Sequence, residues 1–463
     1  MSSPIISDVE KIEINPLNQP AFGYSFRGGF PIVQFEISAQ DKLLVGSSVR
    51  LNGTLRVQQS ASTEEVPVLV NNGANKGGAV FDCAMSSRVG VASAISQITL
   101  SSSTRQTLEV VRGYNRYLST VQGVTLSGED LDTNTQQQSL TASRSFNGAK
   151  GINNDVDFSI PLRTGLLSGG TPISLGQNGL RGLVIQLDLA PDANVLGPYF
   201  DYATGAEVKK NDSATGQGAF YQLRDLTLSY DLLVPDADSV GQMLAQTAGQ
   251  LEYNSVSHLY SVVNASDQTQ NLNLGTSKTL SITHNMIPTT HINNYQEDGM
   301  STNGLFNQVN GTYTIPAPIK QVSFSKGGIL FPIDNIVDVE FNNPGRTDEN
   351  RPKSELNTNF INSIKPYSMM NHSLMSLNTE NGLSTDVALD GSDVSPFTQA
   401  DPRGVFGIGV STDPYKVGVD YSNTNYALRI QSALNGRSPN SIFTYVMAKN
   451  VLTWSPAGIL VQS

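Results

Sequence analysis

The sequence predicts an all-β protein, two eight-stranded β-sandwiches in tandem with short helices and long loops. Three observations lead there. Apolar and polar residues alternate over short stretches along the whole chain, the period of a half-buried strand. Only 15% of residues are charged, and Gly, Ser, Thr, Asn and Gln fill the difference, which favours strands and turns over solvated helices. Near the middle, one helical pattern interrupts the strands, dividing 463 residues into two β-rich halves.

The division falls at 220–253, FYQLRDLTLSYDLLVPD followed by ADSVGQMLAQTAGQLEY. Leu226, Leu228, Tyr230, Leu232 and Val234 form one apolar row, and Pro235, which has no N–H to donate, ends it. After Asp236 or Asp238 as N-cap, Val240, Met243, Leu244, Thr247, Ala248 and Leu251 fall on one helical face. The expected organisation is an N-terminal arm at 1–27, a first sandwich at 28–235, a linker helix at 236–253 and a second sandwich at 254–463. A helix that sets the angle between the halves and an ordinary connection predict the same residues here.

The arm carries Pro4, Pro16 and Pro20 and few core positions; it either reaches a neighbouring subunit or is a loose terminus. Strands are expected at 32–37, at 48–57 around Gly53, and at 66–70, before a glycine-rich loop at 71–78. Ile98 and Leu100 mark one further strand and Leu108, Val110 and Val111 another. A short helix over 114–122 turns Tyr117, Leu118 and Val121 inward. After a polar loop at 126–154 come strands at 156–162 and 183–189, a second long loop at 192–219, and the strand from Phe220. About eight strands with long crossing connections fit a Greek-key sandwich of the jelly-roll type better than an up-and-down barrel.

The second half repeats this layout without repeating residues. Strands are expected at 258–264, 280–284, 319–324, 329–333, 337–341, 405–410, 426–434, 442–454 and 459–461. A polar tract at 342–357, a helix at 360–377 interrupted at Pro366, and a long loop at 378–403 separate them. Loops longer than about 15 residues are uncommon unless they have a task, so these are expected to build an exposed surface.

Candidate chemical sites are few. The histidines are His258, His284, His291 and His372; the pair in THNMIPTTH is seven apart with Pro288 between, whereas a helical metal pair wants a spacing of four. They fit loop or strand-face positions. Asp386, Asp390 and Asp393 share a glycine-containing loop that offers oxygen ligands to calcium, but not at EF-hand spacing; a solvated acidic loop is the plainer reading. Cys83, the single cysteine, excludes an internal disulfide and suits a small buried hydrophobe. Phe443 and Trp454 are expected to fill the second core. There is no serine elbow and no phosphate-binding loop. No catalytic, metal or cofactor residue is assigned.

Net charge is −11, from 29 basic and 40 acidic residues, and the longest basic run is Lys209-Lys210. Arg27-Gly28-Gly29 is too short for an RNA-binding segment. Direct grip on nucleic acid through its phosphates is therefore not expected. MSSPIISDVEKIEINP has neither the basic nor the apolar region of a secretory signal, and no apolar run approaches the ~20 residues of a membrane span. A soluble protein of a cytosol-like compartment is expected, with the sequons at Asn52, Asn211, Asn264, Asn310 and Asn371 unused.

Three stretches carry a family resemblance: RVGVASAISQITLSSSTRQTLEVVRGYNRY, VDFSIPLRTGLLSGGTPISLGQNGLRGLVIQLDLAP, and YALRIQSALNGRSPNSIFTYVMAKNVLTWSPAGILV. Their order resembles a double jelly-roll major capsid protein of the adenovirus and tailless-phage lineage, virophage- and polinton-like viruses included. The resemblance implies a virion protein without catalytic residues, whose homotrimers have a pseudo-hexagonal outline and tile an icosahedral shell around a DNA genome. The implied partners are further copies, minor capsid and penton proteins, and, through the N-terminal arm, an inner membrane where one exists. The competing readings are a virion spike or β-sandwich receptor- or carbohydrate-binding protein, and a β-sandwich glycosidase. The last would need two carboxylates about 5–10 Å apart in a groove.

Overall fold

The computed structural model describes residues 6–61, 64–67, 81–85, 89–125, 155–176, 179–201, 206–208, 219–235, 249–264, 267–289, 292, 319–330, 336–338, 359, 362–370, 408–412, 417–432, 440–455 and 458–462. Outside them lie the expected loops at 71–78, 126–154 and 378–403, the tract at 342–357 and most of the linker helix, 236–248. So do His291, His372, Asp386, Asp390, Asp393, Asn211, Asn310 and Asn371.

In the first half, β1 (Ile6–Ile14), β2 (Ile32–Ile37), β3 (Leu43–Leu44), β4 (Arg50–Ala61), β5 (Glu64–Pro67), β6 (Phe81–Met85), β7 (Ile95–Ser102) and β8 (Thr107–Arg112) precede helix α1 (Tyr114–Thr125). After it come β9 (Asp155–Pro161), β10 (Ile173–Ser174), β11 (Leu183–Leu189), β12 (Leu196–Asp201), β13 (Ala206–Val208) and β14 (Ala219–Pro235). One sheet runs β10-β3-β14-β4-β5, with β1 on β14 and β9 on β4; a second runs β2-β11-β7-β8. Their inward rows meet in one core. Leu183, Ile185, Leu187 and Leu189 supply the row of β11, and Leu226, Leu228, Tyr230 and Leu232 that of β14. Each such aliphatic side chain contributes about 1.5–3 kcal/mol by leaving water.

β14 keeps its inward row only by changing step. Before Arg224 the odd residues Tyr221 and Leu223 join the hydrophobic core; after it the even ones, Leu226 to Leu232, do. The register slips between Arg224 and Thr227, where Asp225 takes a φ of +49°. This β-bulge moves every later side chain to the opposite face.

Three expectations for this half change. The arm is not free: β1 pairs antiparallel with β14 from Ile14 opposite Leu228 to Ile6 opposite Pro235. Charges at Asp8, Glu10, Lys11 and Glu13 hide the strand in the sequence, yet they suit an edge that must not recruit other chains. The stretch 192–219 is not all loop, since β12 and β13 join β6 in a small third sheet that sets Cys83 opposite Tyr199. With the short β3 and β10 and the added β1, the half exceeds eight strands. Asn52, a sequon residue, is engaged within the sheet: its amide donates to Ser229 Oγ at 2.9 Å and its carbonyl accepts from Ser159 Oγ at 2.7 Å.

In the second half, β15 (Gln250–Val263), β16 (Asp267–Leu272), β17 (Thr279–Pro288), β18 (Ile319–Lys326), β19 (Ile329–Leu330), β20 (Ile336–Asp338), β21 (Ile408–Ser411), β22 (Tyr426–Ser432), β23 (Asn440–Ser455) and β24 (Gly458–Gln462) form two sheets. One runs β15-β23-β17-β21 with β24 on β23; the other runs β16-β22-β18-β19 with β20 on β18. Ile282, Met286 and Val446 of the first meet Phe324, Leu428 and Ile430 of the second. Each half is thus a jelly-roll β-sandwich, and the chain is all-β with short helices. Gln250–Tyr253, expected to close the linker helix, open β15 instead. The helix expected around Pro366 tightens to a 3₁₀ turn over Lys365–Met370, as suits a proline that cannot donate to the α-helical ladder.

His284 lies inside this second core. One ring nitrogen meets Thr444 Oγ1 at 2.9 Å and the other the Tyr426 hydroxyl at 2.8 Å, and the ring stacks on Phe324 and Tyr426. Burial lowers its pKa to about 3. A depressed histidine pKa stabilises the fold above the unfolded value of about 6.5, and that contribution fades as pH falls toward the folded value. His284 alone should therefore account for about 2 kcal/mol of the stability lost between pH 7 and pH 5 in denaturant unfolding, and His284→Gln should lessen the pH slope by that amount; an unchanged slope in the variant contradicts the assignment.

Candidate functional site

Among the described residues no three His, Cys, Asp or Glu side chains gather as metal ligands do, and no helix is long and apolar enough to cross a membrane. The concentrated chemistry lies at the seam between the halves. There, β8 and α1 of the first roll pack against β15, β17 and β23 of the second.

The seam exists because β23 is apolar on both faces. Ile442 and Val446 point into the second core, while Tyr445 and Met447 join the larger cluster that begins in the first half. Phe443 and Trp454 pack against that larger cluster too, so they close the seam and do not fill the second core as the sequence suggested. Val256 of β15 and Tyr367 also belong to it.

Four tyrosines and a set of polar bonds fix how the halves meet. Tyr117 of α1 is buried with its ring centroid 6.2 Å from Tyr114, 5.9 Å from Tyr367 and 5.6 Å from Tyr445. Tilted aromatic pairs of this kind add about 0.5–1.5 kcal/mol each beyond burial. The Arg116 guanidinium lies 4.8 Å above the Phe443 ring. The Tyr253 hydroxyl donates to the Leu108 carbonyl at 3.0 Å and the Tyr445 hydroxyl to the Gly113 carbonyl at 2.9 Å. Asn285 Nδ2 donates to Thr120 Oγ1 at 3.0 Å, and the Ile459 N–H to Gln106 Oε1 at 3.2 Å.

Glu109 of β8 is at the centre. Its Oε1 accepts the N–H of Gly165 at 3.0 Å and of Val256 at 3.1 Å, and its Oε2 accepts the N–H of Leu166 at 2.9 Å. One side chain therefore ties a strand and a loop of the first roll to β15 of the second. Burial raises its pKa, and the bonds from Leu166, Val256, Gly165 and Thr164 pull against that rise.

Two glycines let the backbones come this close. Gly113, between β8 and α1, has a φ of +59°, and a Cβ there would stand 3.1 Å from the Tyr445 hydroxyl. A Cβ at Gly165 would overlap the Asn254 carbonyl of β15. His258 sits beside this junction, its ring 5.3 Å from Tyr445 and 5.7 Å from Phe443. Burial first, and Arg112 second, lower its pKa to about 4, so it adds to the acid sensitivity of His284.

Of these residues only Phe443, Trp454, His258, Leu108 and the inward Tyr117 stood out in the sequence. Glu109 is one acid among forty Asp and Glu; the only trace is its place in TLEVVR, where it interrupts an apolar strand.

No protein-family model matches the chain, and no curated protein does. Solved structures do. The Faustovirus major capsid protein matches at a TM-score of 0.59 and 10% identity, over 98% of this chain and 92% of its own. PBCV-1 VP54, as fitted into a reconstruction of the virophage Sputnik, matches at 0.57 and 10% identity, over 100% and 98%. The Sputnik virophage structure itself matches at 0.50 and 8% identity, over 100% and 89%. The chain is similar to these throughout its length and has the double jelly-roll fold of major capsid proteins.

Removing the Glu109 carboxylate would leave three buried N–H groups without an acceptor, each costing about 1–3 kcal/mol. Glu109→Ala should therefore cost about 3 kcal/mol or more in denaturant unfolding, with Glu109→Gln between the two. Gly165→Ala should destabilise the chain at least as strongly, because the Asn254 carbonyl has to move.

Proposed function

We propose that the chain is a viral major capsid protein that resides in the virion and acts structurally, not as an enzyme. Its copies assemble as homotrimers with a pseudo-hexagonal outline, which tile an icosahedral shell around a DNA genome. One observation carries this reading: two jelly rolls, divided between Pro235 and Gln250, are joined by a buried seam that holds them as one body. Three copies then bring six similar rolls around an axis, and heterologous contacts between similar surfaces close into a ring. The likeness to capsid proteins over nearly the whole chain supports the same reading.

The acidic balance, −11, favours enclosing a genome over gripping it. Further partners on this reading are minor capsid and penton proteins at the vertices and edges of the shell.

Light scattering coupled to size exclusion should give the mass of three chains, and negative-stain images should show six-sided particles or closed shells. A monomer at every concentration tested would overturn the reading.

A further inference from the structure

We infer that the loop at 15–32 is a contact surface for a second copy of this chain. This inference rests on the assembly reading above and names the surface that would make the contact.

The loop holds large apolar side chains out in water. Leu17 is 60% exposed, Phe22 73%, Phe26 46%, Phe30 52% and Ile32 42%. Exposed apolar residues scattered singly are ordinary; four in one loop with a fifth, Ile32, opening the strand that follows are not.

The display is built, not loose. Tyr24 and Leu223 exchange both backbone hydrogen bonds at 2.8 Å. The Leu17 N–H donates to the Gln34 carbonyl at 2.7 Å, Asn18 Nδ2 to the Ile32 carbonyl at 2.7 Å, and the Gln34 N–H to Asn18 Oδ1 at 3.1 Å. These bonds cap the outer edge of β2, whose other edge pairs with β11. The Gly28 N–H donates to Ser25 Oγ at 2.7 Å, and a bridge between Ser25 and Phe30 closes the turn that carries Phe26. Gly23 takes a φ of +86°, and a Cβ there would press on the Leu223 carbonyl, so the turn beside Phe22 requires glycine. A contact whose backbone is already ordered loses less entropy on binding.

Charge decides between occupants. From Asn15 to Phe35 there is no acidic residue, in a chain with 40 of them. The single charge of the stretch is Arg27, whose guanidinium lies 5.6 Å from the Phe220 ring centre and whose charge works against the upward push of burial on the Asp192 carboxyl. Around it, β14 adds Asp225 beside Arg224 in the hollow that Phe22 and Gly23 line, one charge of each sign, so two copies, each at −11, meet little like-charge repulsion here. An anionic membrane would meet the same apolar loop with its one cation against a strongly acidic protein, so a protein partner fits better. Aromatic and Arg enrichment with few other charges is also the composition of an interface core.

The test is the triple variant Phe22→Ser, Phe26→Ser, Phe30→Ser in the full chain, beside a control with Ile329→Ser and Val417→Ser, which are exposed apolar sites elsewhere. Self-association is followed by light scattering against concentration, with thermal melting as the check on folding. The loop variant should need at least about tenfold more protein to associate, and the control should match the parent. If the triple variant misfolds, Phe26→Arg alone gives the same readout. Association of a folded loop variant at the parent's concentration overturns the inference and leaves the assembly reading standing. A parent that stays monomeric overturns both. Loss of sedimentation with phosphatidylcholine–phosphatidylserine vesicles in the loop variant, without loss of association, assigns the loop to a membrane and also overturns it.

Discussion

The structure depends on one sheet carrying a hydrophobic core on each face. In an ordinary sandwich each sheet turns one face to the core and the other to water. The sheet β15-β23-β17-β21 does not have that freedom. Its inner face closes the second roll, and its outer face meets β8, α1 and the 3₁₀ turn at Lys365–Met370. Alternate residues of β23 therefore serve two different cores, Ile442 and Val446 one, Tyr445 and Met447 the other. Exposing the outer face to water would forfeit the burial of an apolar row, so separation of the halves is opposed by the same force that folds each of them.

Apolar burial alone would hold the halves together without fixing their angle, because it is non-directional. Direction comes from the polar bonds that cross the seam. Several end on backbone atoms: Glu109 on the N–H of Val256, Tyr253 on the carbonyl of Leu108, Tyr445 on the carbonyl of Gly113. Backbone atoms are the least able to follow a side chain that moves. A buried donor left unpaired costs more than the net value of the bond it would make, so rotation of one roll on the other is penalised in every direction that breaks one of these contacts. Gly113 and Gly165 are the complement of this arrangement, supplying the room that the short distances need.

How much of this was legible in the sequence follows from how each residue is buried. The strand at Leu183–Leu189 alternates without a break because one face is core and the other half-exposed, and its bounds were readable to the residue. β14 was readable from Leu226 onward, and its bulge was not, since nothing in LRDLT distinguishes a slipped register from a continuous one. β1 and β16 were missed for a common reason: ISDVEKIEI and DQTQNL are edge strands, where polar and charged residues replace the apolar row. The seam was legible as apolar content in IFTYVMAKNVLTW but not as a place, because the hydrogen-bond partners across it lie 145 to 353 positions apart, as for Tyr253 with Leu108 and Ile459 with Gln106. A single chain offers no local signal for such contacts.

In the proposed trimer the seam and the outward loop act on different scales, and the first conditions the second. A ring of six rolls closes only if each successive rotation is the same, whether the step crosses a seam within a chain or a contact between chains. Angular slack at the three seams would be shared with the three intermolecular contacts. A seam tied through buried tyrosines and a fully buried carboxylate removes that slack before assembly begins. The contact between copies can then be modest, a few phenylalanines on a pre-ordered loop, and still select one geometry. Modest contacts are also what a closing lattice needs, because a subunit placed wrongly has to be able to leave again.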